Sequence, residues 1–354
     1  MRIAYVAHVN GGSHSGVALK MAGQLEQWRS NGRVARAFIA TRDESGPWRE
    51  RVGDGVVRRY DGILSRLRVM AMLVRATRSF KPDVIYLRWD LFYPPMLWLP
   101  AQSPLVVEVN TDDLSEFALA SRVRAQYNAL TRSITLRRAR ALVFVTSELS
   151  NLPSFGRYPG VHHVITNGID LAGYPELPPP APDGPRLVFV GTAGQAWQGI
   201  DKLLRLAAVK SDWQFDIVGM AQPEFTGSPT NVSWHGHLER NDLVSVLAKA
   251  DVGVGTLALH RKSMTEACPL KVREYLAVGL PVIHGYHDPD LEVLGAYTMR
   301  IANTETNVLD ELPRIEEFVR RSRGLRVPRS EVGHIHVARK EEQRLALFDE
   351  IANA

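Results

Sequence analysis

The sequence predicts an α/β protein built from two doubly wound, Rossmann-like units facing each other across a cleft. Three observations carry that expectation. Short runs rich in Val, Ile, Leu and Tyr alternate with helix-period stretches along the whole chain, the pattern of parallel sheets covered by helices. The alternation breaks once, at Leu177-Pro-Pro-Pro-Ala-Pro-Asp-Gly-Pro185, where five prolines in nine residues exclude a helix or a central strand. And 354 residues exceed what one hydrophobic core usually holds, about 250–300 residues.

Taken in order, a first domain over 1–170 has strands at Ile3–His8, Arg36–Ala40, Val56–Tyr60, Val84–Arg88, Leu105–Val109, Leu142–Thr146 and His162–Ile165. Helical stretches such as Gly16–Arg29 and Ser115–Arg138 lie between them. The Pro-rich stretch, within 171–185, reads as a stiff connection. A second domain over 186–330 restarts with Arg186–Gly191, Phe215–Gly219, Val232–Gly236, Asp251–Gly255 and Leu280–Ile283. In such sheets ligands bind at the carboxyl ends of strands, which makes the cleft the expected site.

Composition narrows the function. A 45% hydrophobic and 23% charged chain is that of an ordinary globular protein, and no apolar run reaches the ~20 residues that cross a bilayer. The start, Met1-Arg-Ile-Ala-Tyr-Val-Ala-His8, reads as a buried strand and not as a leader. A single cysteine, Cys268, excludes an internal disulfide and fits a reducing compartment, so a cytoplasmic location is expected. Residues 1–170 hold 23 Lys and Arg against 14 Asp and Glu, a surplus of 9 that the remainder partly cancels to the overall +5. Two basic amphipathic helices, Arg66–Arg75 and Arg122–Arg140, account for much of it. Such faces suit either solvent or peripheral contact with an anionic membrane. Nucleic acid is not expected, because zinc spacings and RNA-binding motifs are missing.

Four local patterns point to chemistry. Asn10-Gly-Gly-Ser-His-Ser-Gly16 joins the first strand to the first helix, with Gly11 and Gly12 free to adopt unusual backbone angles, Gly16 open to close approach, and Ser13 and Ser15 as caps. It is neither a nicotinamide fingerprint nor a Walker loop, and a connecting turn fits it as well as a phosphate loop. Phe189-Val-Gly-Thr-Ala-Gly-Gln-Ala-Trp-Gln-Gly199 repeats the strand–glycine loop–helix order. Asn167-Gly-Ile-Asp170 reads as a turn. The most informative stretch is Glu266-Ala-Cys-Pro-Leu-Lys-Val-Arg-Glu274 with Tyr275-Leu-Ala-Val-Gly-Leu-Pro-Val-Ile283, two carboxylates eight residues apart. The second carboxylate is expected to open a helix whose free amides suit phosphate, while the carboxylates accept bonds from sugar and ribose hydroxyls. A solvated amphipathic helix is the plainer reading. No metal site is expected: His162 and His163 point opposite ways in a strand, and Asp112-Asp113 suits a helix cap.

Together these segments resemble the retaining glycosyltransferases of the GT-B fold, glycosyltransferase family 4 (glycosyl transferases group 1). The resemblance runs from about residue 3 to about residue 285, through Gly11–Gly16, Val143–Ser147, Ile165–Asp170, Leu187–Leu204 and Glu266–Ile283. It implies that Glu266 reaches the transferred sugar, that Glu274 holds the ribose, and that Cys268, Pro269, Leu270 and Lys271 face sugar and diphosphate. Gly12, Gly16 and Gly191 would let the donor lie close, main-chain groups at His237 and Leu238 would flank the base, and a last helix within 331–354 would return to the first domain. Catalytic candidates are Glu266, Asn110 and His14, although His8 and His14 also fit a polar lining. The chain departs from the family pattern where phosphate cations are common, with Thr192 and Gln198 there, so Lys271, Arg261, Lys262 or helix ends must compensate. Asn110 replaces a histidine and cannot carry a proton. The implied reaction moves a sugar from a UDP or GDP sugar, a co-substrate with no separate cofactor, to a saccharide, lipid-linked or natural-product hydroxyl. A nucleotide-sugar epimerase and a non-catalytic nucleotide-sugar or glycan binder remain alternatives.

Overall fold

The computed structural model describes residues 1–11, 15–101, 103–181, 183–221 and 229–353. The chain forms two compact units, Met1–Thr166 with Val337–Ala354, and Asn167–His336. Both are parallel sheets wound in two directions, the predicted fold class.

In the first unit β1 (Arg2–Gly11), β2 (Val34–Asp43), β3 (Val56–Arg59), β4 (Val84–Arg88), β5 (Leu105–Val109), β6 (Ala139–Phe144) and β7 (Val161–Val164) lie in the order 3-2-1-4-5-6-7. Central strands such as Val84-Ile-Tyr-Leu are apolar and buried at successive positions, because helices cover both faces. Tyr5 and Tyr86 pack with Trp28 of the Gly16–Ser30 helix and Phe348 of the Val337–Asn353 helix, with ring centroids 5.1–5.6 Å apart. Glu108 of β5 is fully buried and meets Lys20 at 2.8 Å and Arg88 at 3.2 Å, with Arg344 at 3.9 Å. Burial raises its carboxyl, but the three cations outweigh that and hold it well below the usual carboxylate range.

The second unit holds β8 (Arg186–Val190), β9 (Gln214–Val218), β10 (Val232–Trp234), β11 (Val252–Val254), β12 (Val282–His284) and β13 (Thr298–Arg300), in the order 10-9-8-11-12-13. The described residues of the Pro-rich segment have no regular structure, and Arg326 Nε donates to Pro178 O at 2.9 Å.

Two differences from the sequence have local causes. The expected Ser115–Arg138 helix is two, Asp113–Ala120 and Arg122–Leu136, because Ser121 is extended (φ −167°, ψ 123°) and caps the second. Strand β13 was not anticipated, since Thr298-Met-Arg300 is too short to show a period. Among the described residues no helix is long and apolar enough to cross a membrane.

Candidate functional site

In the second unit the winding reverses between β8 and β11, strands adjacent in the sheet but far apart in sequence. A crevice at the carboxyl ends of such a pair is where open α/β sheets take ligands. The helix that borders it spans Leu270–Ala277. Its seat depends on Gly253, where an added Cβ would come within 2.5 Å of the Tyr275 ring. The Tyr275 hydroxyl in turn accepts from Val190 N at 2.7 Å and lies 3.4 Å from Val254 O, tying the helix to both strands.

Glu274 does not open this helix, as the sequence suggested; it lies one turn inside. Pro269, with φ −75°, is the N-cap and Leu270 the first helical residue, which suits proline's fixed φ and missing donor. Pro269 offers no side-chain cap, so no side chain of the N-cap takes the first-turn amides. Asn167 holds the approach: its N meets Cys268 Sγ at 3.0 Å and its Nδ2 donates to Cys268 O at 2.6 Å. Burial pushes the Cys268 thiol up to about 12, leaving it a packing group. Arg273, fully buried, binds both Asp288 oxygens and Asp290, so the nearby Cys268–Asp288–Asp290 cluster already has its counter-ion.

Lys271 lies at the start of the same helix. Its Nζ is buried 3.8 Å from the Phe189 ring centroid and has no hydrogen-bond partner among the described residues. Burial pushes its ammonium down to about 7. The other compensating cations are engaged. Arg261 binds Asp201 through two 2.8 Å contacts and also Glu305, and Lys262 stacks on Trp197 at 4.4 Å. Gln198 accepts from Thr192 N at 3.3 Å, and a side chain at Gly191 would overlap Gln198 and Phe189.

The Glu274 Oε1 accepts from the Tyr174 hydroxyl at 3.1 Å, and Arg240 covers the Tyr174 ring at 4.6 Å. Burial raises the Glu274 carboxyl, partly offset by that bond and by Arg240. Glu266 sits eight residues back, its side chain 17% exposed, with Oε1 3.3 Å from His287 Nδ1. Leu238 is half-buried in the loop after β10, next to Glu239, which caps the Arg240–Lys249 helix. The fold thus brings Glu266, Cys268, Pro269, Leu270, Lys271 and Glu274 onto one continuous segment, with Gly191 at the end of the neighbouring β8. Tyr174 and His287 were missed, and Asn167 was read only as part of a turn; Tyr174 lies 100 residues from Glu274, and no local pattern marks it.

In the first unit Gly12 and His14 lie outside the described residues. Gly16 opens its helix, and Ser15 caps it by accepting from Ala18 N at 3.3 Å. Asn110 follows β5; its Oδ1 accepts from Lys20 at 3.2 Å, while its Nδ2 is buried with no hydrogen-bond partner among the described residues. Asp112 is the cap of the Asp113–Ala120 helix, and Asp113 pairs with Arg132 at 2.7 Å. His8 contacts Asp90 at 2.5 Å and the Tyr60 hydroxyl, which joins the ends of β1 and β4.

Residues 184–297 match the family described as glycosyl transferases group 1. No curated protein matches the chain significantly. Among solved structures, sucrose-phosphate synthase from Thermosynechococcus elongatus is similar with a TM-score of 0.70 at 16% identity, over 99% of this chain and 98% of that one. Anabaena HepE in complex with UDP-glucose gives 0.70 at 16% identity over 99% and 100%. The lipopolysaccharide outer core galactosyltransferase WaaB gives 0.67 at 12% identity over 99% and 100%. At these identities the likeness establishes the fold. The protein thus has the α/β fold of GT-B glycosyltransferases, and its segment 184–297, which contains the paired glutamates, matches glycosyl transferases group 1.

Proposed function

We propose that the protein transfers a sugar from a nucleotide-diphosphate sugar to an acceptor hydroxyl, with retention of anomeric configuration. The observation that carries this reading is Lys271. An ammonium buried with no hydrogen-bond partner among the described residues, at a helix start whose cap residue offers no side chain, is costly unless an anion arrives. A diphosphate supplies that anion and takes the first-turn amides as well.

In this reading Glu274 binds the ribose hydroxyls, Glu266 binds hydroxyls of the transferred sugar, and Gly191 lets the donor lie near the backbone. The bond from the anomeric carbon to the diphosphate breaks as the acceptor oxygen attacks from the same face. The acceptor proton passes to a phosphate oxygen, and the nucleotide diphosphate leaves. Lys271 and the amides stabilise the departing charge; losing one such donor costs ~2.7–4 kcal/mol of barrier. Glu266 orients and does not form a covalent bond, and the reaction as drawn calls for no metal ion.

HepE was solved with UDP-glucose, which supports a UDP sugar as donor. The acceptor is a saccharide or lipid-linked glycan. Val123, Tyr127 and Leu130 share one face of the Arg122–Leu136 helix and are exposed by 77%, 40% and 82%, beside Arg122 and Arg124. That basic apolar face supports peripheral contact with an anionic membrane.

The test is a panel of nucleotide sugars screened by thermal shift, followed by product analysis with the labelled donor. A new glycoside of unchanged anomeric configuration is expected. An isomerised donor, or tight binding without turnover on any acceptor, would overturn the proposal.

A further inference from the structure

Glu266 is gripped from behind. Its segment pairs with His287 as a short parallel bridge, Ala267 N donating to His287 O at 3.1 Å and His287 N to Thr265 O at 2.8 Å. The side chains continue the contact: His287 Nδ1 lies 3.3 Å from Glu266 Oε1, and His287 Nε2 lies 2.7 Å from Glu292 Oε1. The imidazole thus bridges two carboxylates. Asp288 and Asp290 bind Arg273, and the Asp290 carbonyl meets His334 at 2.7 Å.

We propose that His287, backed by Glu292, is the positioning residue that fixes the Glu266 carboxylate toward the donor sugar. The proposal rests on Glu266 facing that sugar. Recognition of the nucleotide through Lys271 and Glu274 does not pass through His287.

The experiment compares wild type, His287→Gln, Glu266→Gln and the double variant. UDP binding is measured by calorimetry, and donor KM and kcat at one fixed pH in the assay that detects transfer. A hydrogen bond to a charged group is worth ~1.5–3 kcal/mol, so His287→Gln should raise donor KM about 10–100-fold, with kcat changed far less and UDP affinity kept. It should also add almost nothing in the Glu266→Gln background. An unchanged KM, or an effect that persists in full without Glu266, would overturn the inference. If wild type binds neither UDP nor GDP, the reading of the site fails and takes this inference with it. Should His287→Gln not fold, Glu292→Gln, at a side chain 63% exposed, must show the same KM shift and dependence on Glu266, and its absence refutes the proposal.

Discussion

Donor affinity should follow the protonation of Lys271. With the free amine held at about 7, and a bound diphosphate restoring the ordinary value near ~10.4, only protonated enzyme binds tightly. The sign is fixed by this difference. Below pH 6 nearly every molecule carries the charge and affinity is maximal; above 7 each pH unit removes about a factor of 10. At pH 8 about one molecule in 11 is charged, so Kd rises ~11-fold over its acidic plateau, ~1.4 kcal/mol. The ligand must be a nucleotide sugar, whose diphosphate stays ionised throughout, since the terminal phosphate of UDP titrates near ~6. Calorimetry in buffers of different ionisation enthalpy should show about 0.9 proton taken up per binding event at pH 8 and about 0.1 at pH 6. Lys271→Met should bind weakly with this uptake gone. A Kd independent of pH between 6 and 8.5, or the same uptake in Lys271→Met, would refute the assignment.

Three further outcomes follow from the same geometry. Lys271→Met should raise the melting temperature of the free protein by a few degrees, because it removes a buried amine with no hydrogen-bond partner among the described residues, worth ~1–3 kcal/mol; calorimetric melting checks it. Gly253→Ala should cost ~1–3 kcal/mol in urea unfolding and weaken nucleotide binding, since its Cβ would meet the Tyr275 ring at 2.5 Å and push the helix off β11. Val123→Glu with Leu130→Glu should leave the unfolding free energy within ~1 kcal/mol of wild type, because both are exposed, yet abolish sedimentation with vesicles of anionic phospholipid.

All strands but β13 were legible because parallel sheets bury both faces, so Val84–Arg88 and Leu105–Val109 stand out as apolar runs with the bounds the structure shows. The Glu266–Glu274 segment was legible because it is continuous. What local sequence could not show was pairing across distance. The Tyr174 bond to Glu274, the Asn167 grip on Cys268 and the bridge from Glu266 to His287 each join residues 21–101 positions apart. The state of Lys271 was hidden for a related reason. A lysine at a helix start reads as solvated until the fold lays Phe189 across its path.

The first unit is interrupted: 170 residues of the second separate Thr166 from Val337. Its aromatic centre lacks Phe348, and Glu108 lacks Arg344, until the final stretch is synthesised. At roughly 5–20 residues per second a ribosome needs about 10–30 s to make the intervening segment. The contiguous second unit can close in that interval, while the earlier-made half waits with apolar sheet uncovered. Nascent chains should therefore depend on holding chaperones until the closing helix emerges.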